Sequence, residues 1–350
     1  MFVSELNIVI NNRIKVIKMV VTKKRIMACV VAVAVTTVPC LTACGQVNNA
    51  SEPAAATTSA EEVTIEGEPV PLANAPATST TKATVSVPVA SGTKTYTGGT
   101  VVMDASNLNQ GYLMIKYNGN NSKIKIQITK GSGTTYTYNL NARDAYEVFP
   151  LTEGNGTYSV KVFENLSGTK YSQAFSKSVD VKLSNQFLPF LYPNQYVNFT
   201  ADSQTVKQGL EVTKGTTDDL KKVELVYDYV VGGFTYDKVR ARTVASGYLP
   251  NVDSVLAQKK GICFDYAAVM ATMLRSQNIP CKLVVGYTGE LYHAWINVYT
   301  DESGWVDGMI FFDGSKWQMM DPTFASSGKK SEPIMKYIGN GRNYTAKYAY

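Results

Sequence analysis

Residues 261–280, GICFDYAAVMATMLRSQNIP, restrict what this chain can fold into more than any other stretch. Ala267, Ala268, Val269, Met270, Ala271, Met273 and Leu274 make a helix apolar on nearly every side. A surface helix keeps a polar face, so this one belongs inside a core. Gly261 reads as a flexible entry. Asn278, Ile279 and Pro280 read as the stop: a residue tolerant of left-handed backbone, an apolar contact, then a breaker. Cys263 then falls in the first turn, where unpaired N–H groups and the positive helix end favour a thiolate. Lys259 and Lys260 would favour it too, unless they only sit on a solvated turn, and Asp265 is a structural first-turn acid. The thiol's pKa is therefore expected below its ordinary value. A cysteine nucleophile also needs a base, and the 350 residues contain one histidine, His293.

The formal charge of +6 belongs mostly to the first 43 residues, which hold six basic residues and one acidic one. The remainder carries 28 basic and 27 acidic residues, so nothing in it calls for a nucleic-acid partner. Lys23, Lys24 and Arg25 precede an apolar run over residues 26–38, too short to span a bilayer. The run ends in Leu41-Thr42-Ala43-Cys44-Gly45, which resembles the bacterial lipobox, so residues 1–44 are expected to be a lipoprotein signal with Cys44 lipidated. A plain signal peptide cleaved near Ala43 is the competing reading. Residues 1–18 fit no signal design, and translation from Met19 would give an ordinary one. The expected location is the outer face of the cytoplasmic membrane.

Residues 45–83 are Ala, Ser, Thr and Pro with few large apolar side chains, a linker that cannot bury a core. From 84 to 186 the period becomes two. Ile124, Ile126 and Ile128 alternate with Lys125, Gln127 and Thr129, and similar runs follow at 112–117, 134–140, 145–149, 157–163 and 178–183. Glycine-bearing turns separate them, which predicts an antiparallel, immunoglobulin-like β-sandwich. It would be a spacer or, on the strength of its tyrosines, a wall-binding module. From 187 to 350 helices come first, at 218–231 with Thr217 as N-cap and at 253–258. Strands follow at 282–287, 293–299, 309–312 and 316–320. That order predicts an α+β domain.

Along 293–299, Ala294, Ile296 and Val298 point toward a core and His293, Trp295, Asn297 and Tyr299 toward a more polar face. Asp321 ends the last run, in Trp317-Gln318-Met319-Met320-Asp321-Pro322-Thr323; it either bonds the following turn or orients a histidine ring. Of the five cysteines, Cys29 and Cys40 lie in the leader, and Cys263 and Cys281 are held apart by a helix of about 14 residues, ~20 Å long. A disulfide needs Cα atoms within about 7 Å, so Cys263 is expected to be a free thiol.

Gly261-Ile262-Cys263-Phe264-Asp265-Tyr266-Ala267, then Asn278-Ile279-Pro280, then Tyr292-His293-Ala294-Trp295, then the motif ending at Asp321 resemble the transglutaminase-like core superfamily. That resemblance covers roughly residues 220–325. It implies a papain-like fold and a catalytic triad of Cys263 as nucleophile, His293 as base and Asp321 as the residue that orients the base. Tyr236 resembles an aromatic position the family carries before the cysteine, as an oxyanion donor or as core packing. The implied activity is attack on an amide through a thioester, by a protease or amidase on an extracellular protein or a peptidoglycan peptide. A cross-linking transglutaminase, a non-enzymatic peptide- or glycan-binding module, and a structural role are the alternatives. No cofactor is expected, and one histidine with two body cysteines does not make a metal set. The lipid on Cys44 has a direct test. Palmitate labelling is lost in Cys44→Ala and the protein moves to the soluble extracellular fraction; membrane retention of that variant would point to a different anchor.

Overall fold

The computed structural model describes residues 3–10, 13–20, 83–288, 290–301, 304–312, 317–319 and 344–350. Cys44, the leader motif and the linker up to residue 82 lie outside them, as does Asp321. Strands β1 (Val3–Ile10) and β2 (Arg13–Val20) pair antiparallel as a hairpin in a unit of their own.

The second unit begins with eight strands: β3 (Thr95–Gly98), β4 (Val101–Asp104), β5 (Tyr112–Tyr117), β6 (Ile124–Lys130), β7 (Thr135–Asn139), β8 (Glu147–Pro150), β9 (Gly156–Ser167) and β10 (Lys170–Val181). They form two antiparallel sheets, ordered β3-β4-β5-β8 and β10-β9-β6-β7. Met103, Leu113, Ile115 and Phe149 from one sheet and Ile126, Tyr138, Val160 and Val162 from the other are buried in a shared core, the arrangement of a sandwich. The alternation over 124–128 is thus the inside and outside of β6. Strands β9 and β10 run longer than the period-two runs predict. Around the turn that joins them, residues 164–173 are exposed or half-buried on both faces, with Leu166 68% exposed; in the rest of the extension, 174–177, only Phe175 is buried. A strand segment without a buried face carries no alternation to detect.

After a short 3-10 turn at Leu188–Phe190 come α1 (Gln204–Val212), α2 (Asp219–Gly233), β11 (Thr235–Tyr236), α3 (Lys238–Thr243), α4 (Val252–Gln258), β12 (Lys260–Gly261) and α5 (Cys263–Arg275). Then follow β13 (Cys281–Thr288), β14 (Leu291–Thr300), β15 (Gly304–Phe312), β16 (Trp317–Met319) and β17 (Tyr344–Ala349). The five strands make one antiparallel sheet ordered β16-β15-β14-β13-β17. The architecture is α+β, with helices before sheet as the sequence order implies. The N-cap of α2 is Asp218, whose carboxylate accepts from the Lys221 N–H at 3.0 Å, and not Thr217. Helices α1 and α3 escaped the sequence reading because each is short and neither has a full apolar stripe.

Helix α5 is the centre of this part. Every residue from Asp265 to Arg275 is buried, between α1, α2 and α4 on one side and β13 and β14 on the other. Gly209 lets α1 come close, since a Cβ there would lie 3.0 Å from the Cβ of Met273. The stop works as its residues imply: Asn278 takes φ +63°, and the Ile279 N–H bonds the Leu274 carbonyl at 3.1 Å. In the last turn Arg275, 1% exposed, donates to three carbonyls from separate segments. They are Cys281 at 2.9 Å, Tyr192 at 2.7 Å and Tyr350 at 2.6 Å.

Aromatic rings connect the sandwich to this core. Tyr136 and Tyr138 of β7 lie 5.6 and 5.9 Å from Tyr350, Tyr350 lies 4.0 Å from Tyr196, and Tyr196 lies 5.8 Å from Phe264 at the head of α5. Among the described residues no helix is long and apolar enough to cross a membrane. Replacing Arg275 strands three carbonyls in the core, so Arg275→Met should lower the unfolding free energy by about 3 kcal/mol or more, read from the urea denaturation midpoint.

Candidate active site

The site is assembled by two very short strands. Strands β11 and β12 pair in parallel, Tyr236 opposite Gly261. The Thr235 N–H bonds the Lys259 carbonyl and the Asp237 N–H the Gly261 carbonyl, both at 2.8 Å. This brings Tyr236 beside the start of α5. Asp237 then turns the chain into α3, accepting from the N–H groups of Val239 and Arg240 at 3.2 and 2.9 Å.

The N-cap of α5 is Ile262, whose side chain can accept nothing. Asp265 reaches back instead, and its Oδ2 accepts from the Ile262 N–H at 2.9 Å. Gly261 makes this possible by leaving space. A Cβ there would lie 2.6 Å from the Asp265 Cβ and 2.8 Å from its Oδ2. Gly261 does not sit at positive φ, so room for a carboxylate, not backbone flexibility, is what it supplies. The other carboxylate oxygen accepts from the Tyr248 hydroxyl at 2.6 Å. Arg240 places Nη1 3.6 Å from Oδ2 and 3.4 Å from the Tyr248 oxygen. Burial pushes the Asp265 carboxyl up, while the Tyr248 hydroxyl, the Ile262 N–H and Arg240 hold it down.

Three groups converge on Cys263, two backbone amides and one hydroxyl. The N–H groups of Ala294 on β14 and of Phe264 on α5 hydrogen-bond its sulfur. The Tyr236 hydroxyl bonds both the sulfur and the Cys263 backbone N–H. The residue is partly exposed as a whole, but the sulfur is deep enough for burial to dominate, and the thiol's pKa is raised. That overturns the expectation of a lowered value: the amides pull it down as a helix start should, yet desolvation of a thiolate costs more. The nearby charge acting on the sulfur is Asp265, which also raises it. The two lysines are engaged elsewhere, Lys260 3.5 Å from Asp237 and Lys259 5.7 Å from the Tyr229 ring centre.

His293 lies on β14, opposite Gly286 and one residue from the Ala294 N–H that reaches the sulfur. Ala294 pairs with Val285 of β13, and its own N–H is the one that reaches the sulfur. The face carrying His293 is not polar surface as the alternation implied. His293 is 3% exposed and Trp295 2%. Aromatic side chains of the connector cover the far end of this face, around Tyr299 and six residues along β14 from His293. Phe187 lies 4.1 Å from Tyr299, and Phe190 lies 5.3 Å from Trp305, over which Lys282 places its ammonium at 3.8 Å. Gly286 is needed beneath Trp295, because a Cβ there would meet the indole at 2.9 Å and collide with the Thr345 carbonyl of β17. Two-sided burial cannot be seen in one strand's alternation, because the residues packed on that face come from other elements: the connector at the Tyr299 end, β13 and β17 beside Trp295.

The structure therefore brings Cys263 and Tyr236 together and sets the backbone next to His293 against the sulfur. Cys281 is a separate free thiol, buried opposite Val298 and pushed up to about 12 by that burial. Arg240 and Tyr248 were not singled out from sequence. The available signal was an isoleucine at the N-cap followed three residues later by an acid, half of a reciprocal capping arrangement.

Residues 207–322 match the family model of the transglutaminase-like superfamily. The curated protein YebA of Bacillus subtilis, named there as uncharacterized, is 30% identical over 141 residues, which is 35% of this chain and 18% of that protein. The chain thus spans less than a fifth of that relative's length. Among solved structures, a candidate cysteine protease from Cytophaga hutchinsonii aligns with a TM-score of 0.33 and 13% identity, over 68% of this chain and 83% of that one. A red sea bream transglutaminase aligns with a TM-score of 0.25 and 13% identity, over 61% and 48%.

Because its pKa is raised, Cys263 is thiolate only above the range of an ordinary cysteine. Alkylation by iodoacetamide should climb through the alkaline range with a midpoint above that of free cysteine, labelling Cys263 well before Cys281. Peptide mass spectrometry over a pH series reads both; a midpoint below free cysteine would contradict the burial argument.

Proposed function

We propose that the transglutaminase-like part of this chain is a thiol acyl-transfer enzyme acting on amide bonds, with Cys263 as nucleophile, His293 as general base and Asp321 orienting the imidazole. The observation that carries this reading is the convergence of amides and a tyrosine hydroxyl on the sulfur at the buried start of α5. Such donors answer negative charge, which a cysteine packed for structure alone does not need.

With a raised pKa the sulfur rests as a thiol, so its proton leaves as it attacks. His293 takes that proton while the sulfur bonds to the amide carbon, and the carbonyl π electrons move to oxygen. The oxyanion is held by the Cys263 N–H. Tyr236, now accepting from that N–H, is displaced and turns its O–H to the same oxygen as second donor. When the oxyanion collapses, the C–N bond breaks and His293 returns the proton to the leaving amine. The product is a thioester on Cys263. Water activated by His293 then cleaves it to acid and free thiol.

Hydrolysis is the proposed outcome because a thioester in an extracellular, water-filled site meets far more water than amine unless an amine site is built, and no such site is evident in the sequence. The substrate would be an extracellular protein or a wall peptide. The leader places the enzyme outside the cytoplasmic membrane on a lipid at Cys44, and residues 45–83 act as tether.

Incubation with a glutamine-bearing protein and a labelled primary amine tests the chemistry. Release of free acid with little amine incorporation is expected, together with an acyl adduct on Cys263 by mass spectrometry. Cys263→Ala and His293→Ala should each lower turnover by about 10³-fold or more, Asp321→Ala by less. Dominant amine incorporation would make the enzyme a cross-linking transglutaminase. Absence of any adduct would leave a peptide- or glycan-binding module.

A further inference from the structure

Ile262 is an unusual N-cap for the one helix that presents a nucleophile. A serine, threonine or aspartate at that position would cap by accepting the N–H of the second or third helical residue, here Phe264 or Asp265. The Phe264 N–H is one of the two amides that reach the sulfur. With isoleucine at the cap, no side chain there competes for it. The exposed donor problem moves one residue back, to the buried Ile262 N–H, and Asp265 solves it at 2.9 Å. The carboxylate that does so is itself fully buried and is held on its other oxygen by Tyr248 at 2.6 Å, with Arg240 3.6 Å away. Gly261 is cut down to make room for it. Four residues from three segments thus serve one turn.

We propose that Asp265, buttressed by Tyr248 and Arg240, is a positioning residue for Cys263: it holds the turn that leaves the Cys263 and Phe264 amides to the reaction centre, and its charge, balanced by Arg240, sets the field at the sulfur. The proposal rests on Cys263 being the nucleophile of the preceding section. Burial is the main reason the resting thiol is protonated, and the Asp265 charge, two residues from the sulfur, adds to it by disfavouring the thiolate. The other titratable or charged groups around this turn are Tyr236 of β11, the Asp237–Lys260 pair, Tyr266 of α5 and His293 of β14.

The test measures the pH profile of Cys263 alkylation by iodoacetamide, with thermal melts, in the full chain and in Asp265→Asn, Arg240→Gln, Tyr248→Phe and His293→Ala. Asparagine can still accept from the Ile262 N–H, so the turn survives while the charge is lost. The profile of Asp265→Asn should move to lower pH, by about one unit or less. Arg240→Gln leaves the charge and removes its nearest cation, so its profile should move to higher pH. Tyr248→Phe removes a donor to the carboxylate and should move it the same way as Arg240→Gln. A capping role alone would lower the melting temperature in these variants and leave the profiles where they were. Unmoved profiles, or shifts of Asp265→Asn and Arg240→Gln in one direction, would overturn the proposal while a slowed His293→Ala left the catalytic reading standing. If His293→Ala also alkylated like the parent, the catalytic reading would fall and this proposal with it.

Discussion

A helix buried on every side tolerates a charge only where fixed partners answer it, and α5 carries two, one at each end. Asp265 in its first turn and Arg275 in its last are both inaccessible to solvent. Each sits at the end where the helix dipole favours its sign; Asp265 accepts from the Ile262 N–H and the Tyr248 hydroxyl, while Arg275 donates to backbone carbonyls. Arg275 gathers the connector at Tyr192, the start of β13 at Cys281 and the carbonyl of Tyr350. Burial brings its pKa down to about 10, still well above neutrality, so it remains a cation at physiological pH. The helix is thus located in the fold by its C-terminal charge and aimed by its N-terminal one.

That division explains how the proposed acyl-transfer site can sit on a rigid core element. The sulfur needs donors around it, and donors cost little only when they are already in place. The α5 amides are fixed by Asp265, the Ala294 amide by the β13–β14 ladder, and the Tyr236 hydroxyl by a two-residue parallel pair. The same burial that fixes them raises the pKa of the thiol. A protonated resting thiol is the state that suits the base role proposed for His293, in place of a preformed thiolate.

The sandwich is continuous with this arrangement and not merely strung before it. Rings from Tyr136 and Tyr138 pass through Tyr350 and Tyr196 to Phe264, the residue whose amide reaches the sulfur. The Tyr136 hydroxyl also accepts from the Ala349 N–H at 3.3 Å. The many tyrosines of this chain, which in sequence invited a wall-binding reading, are in part the packing between its two halves.

By itself the sequence determined what local periodicity and composition control. It marked α5 as a core helix, Cys263 as its first turn, Asn278 as its left-handed stop, the alternating strands of the sandwich, and the helices-then-sheet order. Motif resemblance added the triad of Cys263, His293 and Asp321 and the aromatic Tyr236; the chain's own geometry brings Tyr236 to the sulfur, and Asp321 lies outside the described residues. Only tertiary structure decided the rest, because each remaining feature depends on atoms distant in sequence. The face of β14 that carries His293 is buried, its Tyr299 end by connector aromatics over a hundred residues earlier. Gly261 and Gly286 are needed for space that other side chains claim. The thiol's pKa follows the depth of the sulfur and not the helix terminus alone. A pattern along one strand or helix reports the faces of that element; what covers those faces, and how dry they become, is fixed only when the elements pack.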